Sequence, residues 1–381
     1  MADKNKLAVH LVAGARPNFM KVAPLYHALS NERWCRPILV NTGQHYDDSM
    51  SDAFIRDLGL PPPDHHLGIG GGTHAQQTAR VMIAYETLCL ESRPDWTVVV
   101  GDVDSTLACA LVSAKLRIPL AHLEAGLRSR DRSMPEEINR IVTDRLADLL
   151  WTPSIDADEN LHREGVSPDA IECVGNIMID SFELVRERIH AARMREKLGL
   201  TGADYGVVTL HRPVNVDVTS TLRTIILELG TISHDLPLVF PVHPRTRERL
   251  LEAGFPRRLE SGHNLTLLEP IGYIEFMSLV CDAKLVITDS GGLQEETTYL
   301  NIPCLTLRDS TERPITITLG TNELVRVGEM RHAVDRIRTG RWKKGRCPEL
   351  WDGRTASRVV ESLRLQVAKR QLLQSADPER N

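Results

Sequence analysis

Aromatic residues make up only 4 % of this chain, while Ala, Val, Ile and Leu abound. That balance argues against an aromatic-rich β sandwich and for helices packed on parallel strands. Charge of one sign is missing as well. The 46 Lys and Arg against 51 Asp and Glu leave a formal net charge of -5, mixed along the chain, so no basic stripe is available to follow a nucleic-acid backbone. Any anionic ligand must therefore be held by local groups. No stretch approaches the roughly 18 uninterrupted apolar residues of a membrane span. Between Met1 and Leu11 the apolar run is short, broken by His10 and without the small-residue cleavage site of a secretory signal. The seven cysteines (35, 89, 109, 173, 281, 304 and 347) are scattered, with no CxxC pair and no His at zinc spacing. A reduced, cytoplasmic protein without a metal site is the expectation.

Nucleotide signatures are absent too. There is no GxxxxGK[ST] loop, and Gly68-Ile69-Gly70-Gly71-Gly72 lacks the helix-opening GxGxxG spacing of a dinucleotide site. Neither bound NAD nor Walker-type ATP hydrolysis is expected, and no cofactor is implied. The glycine stretch reads as a loop before a helix capped by Thr73. Low-complexity segments and short repeats do not occur.

What is present is length and alternation. At roughly 100 to 200 residues per domain, 381 residues predict two domains with a cleft between them. Short β-rich runs alternate with amphipathic stretches, the pattern of repeated βα units and a parallel sheet. Strands are expected at Leu7 to Ala13, Pro37 to Thr42, Thr97 to Gly101, Pro119 to Leu123 and Leu149 to Thr152. After the turn-like Gly175-Asn176 the pattern restarts at Gly206 to Leu210, Leu238 to Val242, Leu265 to Leu268, Leu285 to Thr288 and Pro303 to Leu307. The fold class is thus α/β, with two Rossmann-like doubly wound domains over residues 1–175 and 176–360. Residues 361–381 form a C-terminal helix and tail expected to pack back toward the first domain.

In open α/β sheets ligands bind outside the carboxyl ends of the strands, and there the unusual polar residues collect. In the first half these are Gly14 to Lys21, Gly43-Gln44-His45, Gly101 to Thr106 and Glu124 to Arg128; in the second, His211-Arg212, His243-Pro244-Arg245 and Asp289 to Gly292. Ser290-Gly291-Gly292 opens a helix, where free N–H groups, the helix dipole and close backbone approach favour a phosphate. It also suits a plain cap with a tight turn. One turn further in, Glu296 is in reach of ribose hydroxyls, and Arg16 and Arg313 are candidates for a diphosphate, since guanidinium forks match phosphate oxygens. Asp102, Glu124 and Glu136 lie at or near strand ends, where desolvation is costly unless something pairs or uses a carboxylate. Structural readings stand beside the catalytic one: Asp102 as a helix cap, Glu124 paired with Arg128, Glu136 opening the helix after Pro135, and His211 as a satisfied core histidine. Together they point to proton transfer.

These segments, taken in order, resemble the non-hydrolysing UDP-N-acetylglucosamine 2-epimerase family over roughly residues 6 to 365. The motifs are GARPNFMK at Gly14 to Lys21, TGQH at Thr42 to His45, Gly101-Asp102, HLEAGLRS at His122 to Ser129, PEEINR at Pro135 to Arg140, VGN at Val174 to Asn176, His211-Arg212, and DSGGLQEE at Asp289 to Glu296. The resemblance implies a glycosyltransferase-B-type fold with the active site in the cleft between the domains. It implies a catalytic set of Asp102, Glu124, Glu136 and His211, with Arg16 and Lys21 near the diphosphate and sugar. Ser290, Gly291, Gly292, Glu296 and Arg313 would hold UDP. It further implies a homodimer, with no nucleic-acid or membrane partner, and allows UDP-N-acetylglucosamine to act as activator as well as substrate, at a second subsite formed by Gln44, His45 and His243. One departure is visible. After the His-Arg pair the family carries a glutamate before the asparagine, whereas this chain reads Pro213-Val214-Asn215, which loses an acidic side chain and a backbone donor.

The implied reaction eliminates UDP to 2-acetamidoglucal and re-adds it with inversion at carbon 2, giving UDP-N-acetylmannosamine. A retaining glycosyltransferase of the same fold, a non-catalytic nucleotide-sugar sensor and a hydrolysing epimerase that releases N-acetylmannosamine are the competing readings; the His211-Arg212 pair favours the non-hydrolysing branch.

Overall fold

The computed structural model describes residues 6–43, 55–255 and 264–376. They form two compact units, Met1–Leu184 with Glu349–Asn381, and Val185–Pro348. The helix Ile177–Ala192 runs unbroken through the first division. The sequence-based cuts after 175 and 360 lie before that division and beyond the second one. A continuous helix has no linker composition to betray a boundary, and the return to the first unit begins in the loop ahead of the helix Thr355–Ala376.

The first unit carries a seven-stranded sheet made of β1 (Leu7–Ala13), β2 (Cys35–Asn41), β3 (His65–His66), β4 (Trp96–Val100), β5 (Leu120–Leu123), β6 (Leu149–Thr152) and β7 (Ile171–Cys173). Their order is β3-β2-β1-β4-β5-β6-β7, and all pairs are parallel. The second unit repeats the plan with β8 (Gly206–Thr209), β9 (Leu238–Pro241), β10 (Leu265–Leu268), β11 (Leu285–Thr288), β12 (Cys304–Thr306) and β13 (Asn322–Leu324), in the parallel order β10-β9-β8-β11-β12-β13. This is the α/β class read from the sequence. Three strands were not anticipated, β3, β7 and β13. Each lies at a sheet edge and has only two or three residues, too few to show a pattern.

Central strands are buried and largely apolar because helices cover both faces of a parallel sheet. In β4 all five residues of Trp-Thr-Val-Val-Val are buried. Val12, Ile38, Val40, Tyr85, Val99 and Leu120 pack one face of the first sheet against its helices. Leu222, Ile225 and Leu229 pack against Val208, Phe240 and Ile287 in the second unit. Thr73 caps the helix His74–Glu91 by accepting from the Gln76 amide. Among the described residues no helix is long and apolar enough to cross a membrane.

The strand order matters for function. Connections reverse direction between β1 and β4 and again between β8 and β11, and the carboxyl ends of strands at such switch points are where open α/β sheets bind ligands.

Candidate active site

In the first unit, β1 runs into the helix Arg16–Ser30, which opens on Arg16-Pro17. Proline there loses only an N–H that has no helical partner. Arg16 is exposed at this first turn, while Lys21, one turn later, is buried and forms an ion pair with Glu124. Glu124 follows β5 and takes a left-handed backbone at φ 73°, an uncommon conformation for a non-glycine residue that often marks a functional turn. Gly101, after β4, has φ 65°, and a Cβ there would stand 2.7 Å from the Lys21 ammonium and 3.3 Å from the Glu124 carboxylate. The glycine thus leaves room for the pair. The alternative partner for Glu124, Arg128, is engaged elsewhere, by Asp144 at 2.7 Å and by Glu164 through two bonds at 2.8 and 2.7 Å.

Asp102 does not cap a helix; the residue before the helix Asp104–Lys115 is Val103. Its carboxylate accepts from Arg140 at 2.5 Å, and the Asn139 amide donates to its backbone carbonyl at 2.9 Å. Both partners come from the helix Pro135–Leu146, whose buried face is polar. Glu137 on that face is buried, which raises its carboxyl, but the amides of Ser129 and Arg130 and the Arg140 guanidinium hold it below the usual range. Glu136 sits in the helix's first turn, half-buried, and no hydrogen bond or ion pair of its side chain occurs among the described residues. The three predicted carboxylates therefore stand in three settings. One is locked to a lysine, one to an arginine, and one has no partner among the described residues.

The second unit arranges the loops after β8 and β11 around Asp289. This carboxylate is fully buried and accepts from the backbone amides of His211 and Arg212 (3.1 and 2.9 Å), from the Asn215 amide (3.0 Å) and from His211 Nδ1 (2.9 Å). Burial raises its carboxyl, yet His211 and Asn215 hold it below the ordinary aspartate range. A carboxylate only accepts, so Nδ1 carries the proton and Nε2 is the nitrogen left for a ligand. The His211 side chain is 46 % exposed, so it is not a core histidine. Pro213, the departure noted above, opens the short helix Pro213–Val216, where its missing N–H leaves no intrahelical bond unmade. Asn215 fixes that turn by bridging Asp289 and the Leu307 carbonyl.

Ser290 precedes the helix Gly291–Tyr299 and makes no side-chain cap. A Cβ on Gly291 would stand 2.9 Å from both the Arg313 guanidinium and the Glu312 carboxylate, so bare backbone lies beside Arg313 at the helix start, with Gly292 next in line. Arg313 is buried and paired with Glu295 at 2.9 Å and Glu312 at 2.5 Å. Glu296 is buried one turn along, with the Tyr273 hydroxyl donating to it at 2.6 Å. Desolvation raises its carboxyl, helped by the charge of Glu295 and against the Tyr273 bond, to about 7. His243 is exposed immediately before the helix Pro244–Glu252, while Gln44 and His45 lie outside the described residues. No group of three or more His, Cys, Asp or Glu that could hold a metal occurs among the described residues.

A sequence profile of UDP-N-acetylglucosamine 2-epimerase matches residues 27–364. The chain belongs to the UDP-N-acetylglucosamine 2-epimerase family. Its relatives include the UDP-N-acetylglucosamine 2-epimerase of Methanocaldococcus jannaschii, 41 % identical over 326 residues that cover 84 % of this chain and 88 % of the relative. Another is the UDP-2,3-diacetamido-2,3-dideoxy-D-glucuronate 2-epimerase of Pseudomonas aeruginosa, 41 % identical over 318 residues, 82 % of this chain and 87 % of the relative. In three dimensions the chain is similar to the crystal structure of the M. jannaschii UDP-GlcNAc 2-epimerase in complex with UDP-GlcNAc and UDP. That match has a TM-score of 0.83 and 38 % identity and covers 94 % of this chain and 100 % of that one. The two parallel sheets with flanking helices make this an α/β, two-domain fold of the glycosyltransferase-B type.

Within this 2-epimerase family member, sequence reasoning passed over the partners of the chosen residues. Asp289, His122 and Arg140 all stand inside the quoted motifs, so the signal was there. Their contacts span 78, 21 and 38 residues of chain, and only the sheet order brings such positions together.

Proposed function

We propose that the chain interconverts UDP-N-acetylglucosamine and UDP-N-acetylmannosamine without hydrolysis. The observation that carries the reading is the set of three carboxylates in three electrostatic settings in the first unit, Asp102 and Glu124 just beyond strand ends and Glu136 in the first turn of the helix Pro135–Leu146. Inversion at carbon 2 needs one group to take a proton from one face and another to deliver it to the opposite face.

The hydrogen on carbon 2 is not adjacent to a carbonyl, so its removal must be coupled to loss of the group at carbon 1. A base takes that proton while the bond from carbon 1 to the diphosphate oxygen breaks, its electrons leaving with UDP, and carbons 1 and 2 become doubly bonded in 2-acetamidoglucal. Re-addition remakes the bond at carbon 1 while carbon 2 receives a proton on the other face. Asp102, Glu124 and Glu136 are the acid and base candidates. Lys21, paired with Glu124, sits where it can pass a proton to that carboxylate or hold its charge. On the nucleotide side, the start of the helix Gly291–Tyr299 with Ser290, Gly291, Gly292 and Arg313 suits the diphosphate; Glu296 suits the ribose; and His211 Nε2, oriented by Asp289, suits the departing oxygen. Arg16 supplies a further positive group. Gln44, His45 and His243 remain the candidates for a regulatory subsite, and a homodimer is the proposed assembly.

The test is incubation with UDP-N-acetylglucosamine alone in deuterated water, followed by NMR. The expected products are UDP-N-acetylmannosamine and recovered substrate, both carrying deuterium at carbon 2. Free N-acetylmannosamine with UDP would replace this reading by the hydrolysing one. The P. aeruginosa relative supports a second substrate assay, with UDP-2,3-diacetamido-2,3-dideoxy-D-glucuronate. Preferential turnover of that sugar would keep the chemistry and change the substrate.

A further inference from the structure

His122 lies on β5, fully buried, and both of its ring nitrogens face oxygens that can only accept. Nδ1 is 2.6 Å from an Asp144 carboxylate oxygen and Nε2 is 2.8 Å from the Gly101 carbonyl. The second Asp144 oxygen takes the Gly126 amide at 3.1 Å and the Arg128 guanidinium at 2.7 Å, both donors. Asp144 is therefore a carboxylate, and a ring that donates from both nitrogens carries both protons. Neither side chain is exposed enough to meet a substrate, and neither belongs to the acid and base set. A charged pair inside a domain is costly to desolvate and contributes little net stability, so its presence asks for another account.

The backbone atoms at its two ends give one. The Gly101 carbonyl belongs to the peptide that leads into Asp102. The Gly126 amide lies two residues beyond Glu124. Both turns have left-handed backbone, at φ 65° for Gly101, 73° for Glu124 and 80° for Gly126, and such turns drift unless tied. Asp144 stands on the same helix as Glu136, Asn139 and Arg140. We infer that His122 and Asp144 form a positioning pair that ties the Gly101 and Gly126 turns together, fixing Asp102 and Glu124 relative to one another for proton transfer. This rests on the reading of Asp102 and Glu124 as acid and base groups.

The pair is tested with His122→Phe and Asp144→Asn in the full chain, using turnover of UDP-N-acetylglucosamine, UDP calorimetry and thermal melts. A shift of about an ångström between reacting groups costs on the order of 100-fold in rate. The expected result is a fall in kcat of that order with KM and UDP affinity within about twofold of the parent. His122→Gln, whose amide can still donate to the Gly101 carbonyl, should recover part of the loss. A purely structural role would instead lower the folded fraction, the UDP stoichiometry and the rate in proportion. If His122→Phe does not melt cooperatively, His122→Gln decides alone, and parental turnover in it overturns the proposal. Asp102→Asn and Glu124→Gln separate the two levels. If both retain full turnover, the acid and base reading fails; if they lose it while the His122 variants do not, the positioning pair fails.

Discussion

Glu296 and Glu312 are both buried carboxylates within the second unit, and their surroundings push them in opposite directions. Glu312 is buried too, but it accepts from Arg313 at 2.5 Å and Arg308 at 2.8 Å, which hold it far below the ordinary glutamate range. Its contribution to stability is present at neutral pH and is lost as the pH falls through the acid range. Glu296 has the neutral Tyr273 hydroxyl as donor and Glu295 as a like-charged neighbour, so burial prevails and it titrates at about 7. The unfolded chain gives up this proton near pH 4.5. Folding therefore takes up a proton between about pH 4.5 and 7, and stability falls as pH rises through that window. Glu296→Gln keeps the shape and an acceptor for Tyr273 while removing the charge. The variant should match the parent near pH 4.5 and gain on it up to pH 8, by roughly 3 kcal/mol at most. Denaturant melts at both pH values measure this, and a gain that does not grow with pH would mean that Glu296 is ionised cheaply through a partner other than Tyr273.

A single buried carboxylate organises the whole turn after β8. Asp289 collects two backbone amides, the Asn215 amide and His211 Nδ1, so it sets both the path of the loop and which histidine nitrogen faces outward. Asp289→Asn keeps its volume, but its amide nitrogen then meets donors, and the tautomer of His211 is no longer enforced. Turnover should fall on the order of 100-fold, with only a small change in UDP affinity, since the Gly291 helix and Arg313 are untouched. Parental kcat by coupled assay would show that His211 needs no orienting partner. The same turn marks the limit of what sequence discloses. Long central strands such as β1 and β4, the glycine-rich start of the Gly291 helix and the Thr73 cap were legible because local pattern and local chemistry agree there. Edge strands of two or three residues carry no period. The partners of Asp102, Glu124 and His211 come from other strands or helices, as Arg140, Lys21 and Asp289, and their pairing depends on strand order. Glu124 was the plainest case: Arg128, four residues away, looked the natural partner, but its guanidinium turns to Asp144 and Glu164 while Lys21 arrives from beside β1.

On the scale of the whole chain, the first unit is assembled from two distant stretches, residues 1–184 and 349–381. The returning segment is held by polar contacts as well as by packing of the helix Thr355–Ala376 beside the helix Arg16–Ser30. Trp351 donates to the Pro153 carbonyl at 2.8 Å, Trp151 donates to the Ser362 hydroxyl at 2.9 Å, and Arg358 reaches the Val174 carbonyl at 3.0 Å. Gly175 allows this closeness, since a Cβ there would come within 2.2 Å of the Leu350 carbonyl oxygen. The helix itself starts on a borrowed cap. Asp180, from the first turn of the helix Ile177–Ala192, accepts the amides of Thr355 at 3.1 Å and Ala356 at 2.8 Å. These donors would otherwise be buried without a partner, which costs about 1–3 kcal/mol for each group. Asp180→Ala should therefore destabilise the first unit by roughly 2 kcal/mol or more, in the upper range for losing a helix cap. Asp180→Asn, which keeps one acceptor, should cost less. Arg364→Ala on the same helix breaks an exposed pair with Glu361 and should leave stability essentially unchanged, because solvent screens such pairs. Nucleotide affinity should be unaltered in all three, since none of these residues is among the groups proposed for UDP, while the melt attributable to the first unit moves in the Asp180 variants and stays in Arg364→Ala. Equal stabilities for Asp180→Ala and Arg364→Ala in urea titrations would mean that the Asp180 cap contributes nothing to holding the returning helix.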